Sequence, residues 1–298
     1  MSSLSLWLNA ELPQSAFQAR MVLLWGLTRR FLKNPANLFG ASVLLLVVLM
    51  AIFAPLIAPF GENEQNLSAT LQPPSSLYWM GTDELGRDIF SRVVWGSRIT
   101  LSMALTVSVI VAPIGLIIGC VAGYAGGWID LVLSRIIDVF LAFPSLVLAL
   151  AFVAALGPNL QNAVIAIALT IWPPIARLAR AEAMAFSATD AVAAVRSQGA
   201  SPVRIVFVHV MPMCLPSVVV RISLNMAGII LTAAGLGFLG LGAQPPMPEW
   251  GAMLSAGRQY MMTSWWIAAM PGLAIMTVSL AFNLVGDGLR DALDPRND

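Results

Sequence analysis

Lysine is nearly missing from this sequence. Lys33 is the only one in 298 residues, and histidine occurs once, as His209. A P-loop needs a lysine within GxxxxGK[ST] to reach the β/γ-phosphates. Lys33 is followed by Asn34 and preceded by no glycine pattern, so the chain supplies no P-loop, and any ATP chemistry belongs to another polypeptide. Cysteine is limited to Cys120 and Cys214. That count excludes a disulfide scaffold and, with one histidine, a Cys/His metal site; both cysteines read as small apolar fillers. Charge is scarce as well, at 10% of residues, and the net charge of +1 gives no case for a nucleic-acid partner. No catalytic, cofactor-binding or metal-binding residue is expected.

What is present is apolar length. Hydrophobic residues make up 58% of the chain and the mean hydropathy is +0.83. A soluble domain is about half apolar and a quarter charged. A membrane core of about 30 Å needs roughly 20 apolar residues in a helix, and the sequence predicts six such spans in an all-α polytopic membrane protein. Residues 1–36 form an N-terminal segment without a cleavable signal, and residues 37–60 the first span, read as a retained anchor. Residues 61–97 follow as a polar segment, and residues 98–288 hold five further helices. Within that part, "GPN" at Gly157–Asn159 separates a third span, Leu131–Leu156, from a fourth that should kink or stop at "WPP". The fifth runs from about Leu215 to Leu239, the sixth from about Trp266 to Val285, and 289–298 is a tail.

Arginine sets the orientation. With the N-terminus inside, the inner side receives Arg20, Arg29, Arg30, Lys33, Arg135, Arg177, Arg180, Arg196, Arg204, Arg221, Arg290 and Arg296. The outer side receives Arg87, Arg92, Arg98 and Arg258. Twelve against four follows the positive-inside rule, with both termini cytoplasmic.

Several patterns carry chemistry or mimic it. "GLGFLG" at Gly235–Gly240 fits GxGxxG, but a dinucleotide site needs a preceding strand, and this match ends a membrane helix. His209 falls on the inner side and Ser97 on the outer, so they form no Ser–His pair, and Ser201 has a capping role instead. Gly115, Gly119, Gly123 and Gly127 recur every four residues, a spacing that lets helix backbones approach closely in lipid; packing inside the subunit is the simpler reading. Asp138 should pair with Arg135, three residues before it on the same helix. "GTDELGRDIFSRVVWGSR", Gly81–Arg98, concentrates six charged residues. With Thr82 or Asp83 as cap and Glu84/Arg87 and Asp88/Arg92 as i,i+3 and i,i+4 pairs, it reads as an amphipathic helix along the outer membrane surface. Asp83, Arg87, Asp88 and Arg92 are the candidate extracytoplasmic gate or receptor contacts. On the inner side, about 181–213, "DAVAAVRSQGASPVRIVFVHVMP" reads as helix, glycine stop, helix. Asp190 caps the first helix, Gly199 takes the left-handed C′ position, and Ser201–Pro202 form N-cap and N1. Pro212 and Pro216 bound the entry to the fifth span.

These residues carry a resemblance. The 190–212 loop resembles the EAA loop of binding-protein-dependent ABC importer permeases. The 81–101 segment resembles the hallmark of the second permease subunit of dipeptide/oligopeptide/nickel importers. "RRFLKNPANLFG", "RIIDVFLAFPSLVLAL", "LGFLGLGAQPPMPEWGAML" and "FNLVGDGLRDALDPR" are similar to the same family, in the same order. The resemblance implies the type I ABC importer (MetI-like) permease fold in a bacterial plasma (inner) membrane. It implies a homologous permease as heterodimer partner, two ATP-binding subunits holding ATP and Mg, and an extracytoplasmic solute-binding protein. It makes the loop a coupling helix, with Val192, Ala194, Gly199, Ser201, Pro202, His209 and Pro212 matching the pattern. Asp190 and Ala191 stand where the family commonly has Glu and an aromatic, and Met213 where it has Asn. The substrate class implied is peptides or related small solutes, such as nickel or metallophores. The rival readings are an ion-coupled secondary transporter or channel, and a membrane enzyme.

Overall fold

The computed structural model describes residue 7 and residues 15–293; Arg296 and the end of the C-terminal tail lie outside the described residues. Among the described residues the chain is helical without strands, apart from one isolated bridge between Thr82 and Asp88. The main helices are α1 (Ala16–Lys33), α2 (Pro35–Ile52), α3 (Ile89–Ala125), α4 (Gly127–Leu141), α5 (Ser145–Leu156), α6 (Leu160–Ser187), α7 (Asp190–Ser197), α8 (Met211–Phe238), α9 (Trp250–Gly257) and α10 (Trp266–Leu293).

Among the described residues five helical runs are long and apolar enough to cross a membrane, and the third expected span is broken: α4 and α5 meet at 90°. The break falls at Pro144, which lacks an N–H for the helix ladder and restricts the residue before it. "WPP" ends nothing. Pro173 and Pro174 sit inside α6, which continues to Ser187. Trp172 and Pro173 are buried, and Trp172 stacks edge-on against Phe140 of α4 at 5.5 Å. Packed neighbours offset the lost ladder bond, as they commonly do in membrane helices.

The core is built around α3 and α6. A Cβ on Gly119 would lie 2.4 Å from the Ala176 carbonyl oxygen, and one on Gly123 would lie 2.4 Å from that of Arg180. The glycine stripe therefore packs inside the subunit, with backbones in near contact. Gly127 lies outside it, past the end of α3 and with open space around it. Two ion pairs join α4 to α6: Arg180 with Asp130, and Arg177 Nη2 with Asp138 Oδ1 at 2.7 Å. Asp138 thus reaches across to another helix rather than to Arg135.

The family-like motifs pack on one another. Asn34 caps α2 by accepting the Ala36 N–H, with Pro35 at N1. One turn on, buried Asn37 fills the space a side chain on Gly288 would need, at 2.4 Å, so the "NPANLFG" and "GDGLRDAL" stretches form one helix crossing. At its far end α2 leaves carbonyls without ladder donors. Arg98 of α3 supplies them, donating to Ile52 O at 2.9 Å and to Ala51 O.

Candidate functional site

Two polar regions stand at opposite ends of α3. At its N-terminal end, residues 81–88 form no surface helix. Gly81 and Gly86 have φ of +77° and +70°, and a Cβ on Gly86 would lie 1.8 Å from the Asn66 carbonyl oxygen. The chain turns there, and Thr82 and Asp88 pair across the turn. Asp83 holds it: Oδ1 accepts the N–H groups of Leu85 and Arg87 at 2.9 and 3.0 Å, while Oδ2 takes Arg87 Nε at 2.6 Å. Glu84 Oε1 adds a 3.3 Å contact to Arg87. Asp88 makes no pair with Arg92. It caps α3, accepting the Ser91 N–H at 2.8 Å and the Ser91 hydroxyl at 2.6 Å. Arg92 turns instead toward Asp83, 3.8 Å away, and donates to the carbonyls of Glu62 at 2.9 Å and Pro246 at 3.4 Å.

Asp83, Arg87, Asp88 and Arg92 are exposed by only 4, 6, 4 and 5%. They are brought together, and they face inward. The segment 240–266 closes over them: Trp250 Nε1 donates to Val93 O at 3.0 Å, and Trp266 Nε1 to Thr82 O at 3.2 Å. A cavity of about 140 Å³ lies between the two layers, lined by Arg87, Arg92, Met247 and Met253. Burial raises the carboxyl of Asp88, against the opposing Ser91 hydrogen bonds. It raises Glu249 likewise, although that side chain caps α9 by accepting the Gly251 and Ala252 N–H groups. The sequence signal for this arrangement was "ELGRD": a glycine inside the expected helix marks a turn, and Asp88 three residues before Ser91 marks the true N-cap.

At the other end of α3 lies the 190–212 loop. Asp190 is the first residue of α7, not its cap. Thr189 holds the cap position without a side-chain cap bond, and Asp190 instead places negative charge in the first turn, where the helix dipole favours it. Gly199 has φ +83°, with its N–H on Arg196 O at 3.0 Å and the Ala200 N–H on Val195 O at 3.4 Å. Those two bonds form a Schellman closure. Ser201 accepts the Arg204 N–H at 3.4 Å and Pro202 stands at N1. From Pro202 to Phe238 the helix is continuous, over 37 residues. Pro212 and Pro216 therefore lie within it rather than bounding it. Pro212 has no N–H to give its preceding turn, and directly before it Ile205–Val210, which includes half-buried His209, widens into a π-helical turn.

Val192 is buried and anchors α7. Ala194, Gly199, Ser201 and Pro202 are exposed, beside Val203 and Phe207. Arg196 sits over the ring of Tyr124 at 5.5 Å, which ties the loop to the last turn of α3. That helix has 37 residues and is about 55 Å long, so one rod joins the buried charge network to the exposed loop. Ser97 is buried near the network, with its hydroxyl on Val94 O, at the opposite end of the rod from His209.

Comparison with known proteins gives a consistent answer. The model of the binding-protein-dependent transport system inner membrane component family matches residues 115–298. That of the N-terminal TM domain of oligopeptide transport permease C matches residues 24–74. The chain is 47% identical over 264 residues to the dipeptide transport system permease protein DppC of Alkalihalophilus pseudofirmus, covering 89% of this chain and 87% of that one. It is 46% identical over 272 residues to the di/tripeptide permease protein DppC of Pseudomonas aeruginosa, covering 89% and 90%. It is 43% identical over 269 residues to the glutathione permease protein GsiD of Pectobacterium atrosepticum, covering 90% and 89%. Among solved structures, the inward-facing MetNI methionine ABC transporter shares the fold, with a TM-score of 0.56 at 22% identity over 69% of this chain and 98% of that one.

Proposed function

This chain belongs to the family of binding-protein-dependent transport system inner membrane components, and on that premise we propose that it is the second permease subunit of a peptide importer. It is a multi-pass membrane permease of an ABC importer, without an ATPase site of its own. The substrate class is short peptides, the cargo named for the relatives from Alkalihalophilus pseudofirmus and Pseudomonas aeruginosa. The partners are a homologous permease, two ATP-binding subunits and an extracytoplasmic solute-binding protein. Both termini face the cytoplasm, as the arginine distribution favours.

The observation that carries the reading is the 190–212 loop. A short helix is closed at one end by the Gly199 turn, restarted by Ser201–Pro202, and anchored from beneath by Val192. It presents small side chains outward, a shape suited to a groove on another protein. When ATP draws two ATPase subunits together, a helix seated in such a groove moves with them. Arg196 on Tyr124 then passes the displacement to α3, and α3 to the charge network at its far end. ATP drives the cycle only if it binds the two permease states with different free energy, and a stiff link between loop and cap makes that difference available. In this mechanism the buried Asp83–Arg87–Arg92 network keeps the outer roof of the pathway in one piece, so that it swings as a unit.

The test is reconstitution. Vesicles holding both permeases, the ATPases and the receptor should accumulate dipeptide, and a non-hydrolysing ATPase variant should abolish uptake. Uphill transport by this chain alone would refute the proposal in favour of an ion-coupled transporter.

A further inference from the structure

A cleft of about 420 Å³ opens at the coupling-loop end of the bundle. The last turns of α6 line it with Leu178 and Glu182, the start of α8 with Ser217, Arg221 and Leu224, and the end of α10 with Arg290. The mechanism above uses none of these residues. Oε2 of Glu182 is buried there without a hydrogen-bond partner. Neither Arg221 nor Arg290 has an ion pair among the described residues. One negative and two positive groups therefore line a single cavity without closing on each other. Ser217 already donates to the Glu182 carboxylate, and a ligand donor to the remaining oxygen would relieve the cost of burying it unpaired.

We propose that this cleft binds a short peptide by its two termini, the ammonium group on Glu182 and the carboxylate on Arg221 and Arg290. The proposal rests on the peptide reading above and deepens it. Charge selects the ligand class. A phosphate or a lone carboxylate would meet the Glu182 carboxylate, and a lone amine would meet two guanidinium groups; a zwitterion satisfies all three. The volume falls within the roughly 300–1,000 Å³ of small-molecule sites. The apolar remainder of the wall, Leu178 and Leu224 among it, accepts varied side chains, so the site reads peptide ends rather than sequence. Its position adds a consequence. The two helices that carry Glu182 and Arg221 are the ones joined by the coupling loop, so a movement of that loop changes their separation and hence the affinity of the cleft. It acts as an exit site that holds cargo in one state of the cycle and releases it in the other.

The experiment measures equilibrium binding to the complete permease–ATPase complex in nanodiscs, without receptor. The probes are alanyl-alanine, its N-acetyl derivative and its C-terminal amide. The wild-type complex should bind alanyl-alanine about 10-fold or more tighter than either blocked analogue, as expected for loss of one charge-assisted contact. Glu182→Gln should erase the preference over the acetylated analogue only, and the Arg221→Gln/Arg290→Gln double variant the preference over the amide only. Equal binding of the three probes by wild type, or a preference that survives Glu182→Gln, overturns the proposal. If a variant fails to assemble, the three-probe comparison on the wild-type complex decides alone. A complex that imports peptides but binds no alanyl-alanine overturns this inference and leaves the peptide reading standing. A complex that imports no peptide with its receptor overturns that reading, while the probe preference still decides the cleft.

Discussion

The turn around Asp83 and the turn around Gly199 both connect helices, and both depend on a glycine in the left-handed region, yet they satisfy their polar groups in opposite ways. The first is held by side chains, with Asp83, Arg87 and Arg92 buried together under the 240–266 segment. The second is held by its own backbone bonds and one serine cap, and its small side chains remain exposed. The difference separates a joint that the subunit completes by itself from one whose outer face is left open, as the proposed docking on an ATPase requires. A buried charge network costs desolvation and returns orientation. An exposed helix of small residues contributes little to the fold, and its value lies in what it can seat against.

Gly86→Ala is the sharpest way to break the comparison. Its Cβ would fall 1.8 Å from a backbone oxygen, so the turn must rebuild, and a loss above about 4 kcal/mol is expected. Little assembled permease should survive solubilisation, measured as yield of monodisperse complex. Next in size is Asp83→Asn. It leaves Arg87 and Arg92 buried without their shared carboxylate, at about 3–5 kcal/mol, and should lower the thermal midpoint of the purified complex well below that of wild type. Gly199→Val tests the other region. The space around Gly199 is open, so only the left-handed backbone is penalised, at about 1–2 kcal/mol. The variant should insert and assemble, yet lose dipeptide uptake and receptor-stimulated ATPase activity. Near-normal uptake would show that the loop is not the lever.

The smallest effect is in pH. Burial raises Asp88 and Glu249 above their ordinary values of 3.8 and 4.5, so the folded cap binds protons more readily than the unfolded chain in the interval above those values. Stability contributed by these groups therefore falls as pH rises through that interval and is regained as pH drops. Melting curves between about pH 7 and about pH 4 should show wild type gaining, on acidification, relative to an Asp88→Asn/Glu249→Gln double variant. Parallel curves would remove the two carboxyls from the account.

Much of this architecture was legible because membrane helices announce themselves by length and the turn at Gly199 by its neighbours. Where the structure departs from the local pattern, packing outweighs it. Charges spaced at i,i+3 and i,i+4 around Glu84 imitate an exposed helix, but the partners that bury them lie some 150 residues away in the 240–266 segment, as with Arg92 and Pro246. Pro173 and Pro174 look like a stop, yet α6 is clasped by α3 along the glycine stripe and runs on. Asp138 sits within reach of Arg135, but Arg177 across the helix crossing takes it. Glu182 and Arg221 lie in different helices, and no spacing in the sequence announces their shared cleft.

The wide turn at Ile205–Val210 carries one residue more than an α-helical ladder requires. Deleting a single residue there would let the ladder close normally with the chain on its amino side facing nearly as before, whereas deleting one from the regular α-helical turns that follow would swing it by about 100° around the axis. In that second case the exposed alanines of α7 would turn away from the face they now share. A one-residue deletion is thus absorbed at the wide turn and not in the regular helix beside it.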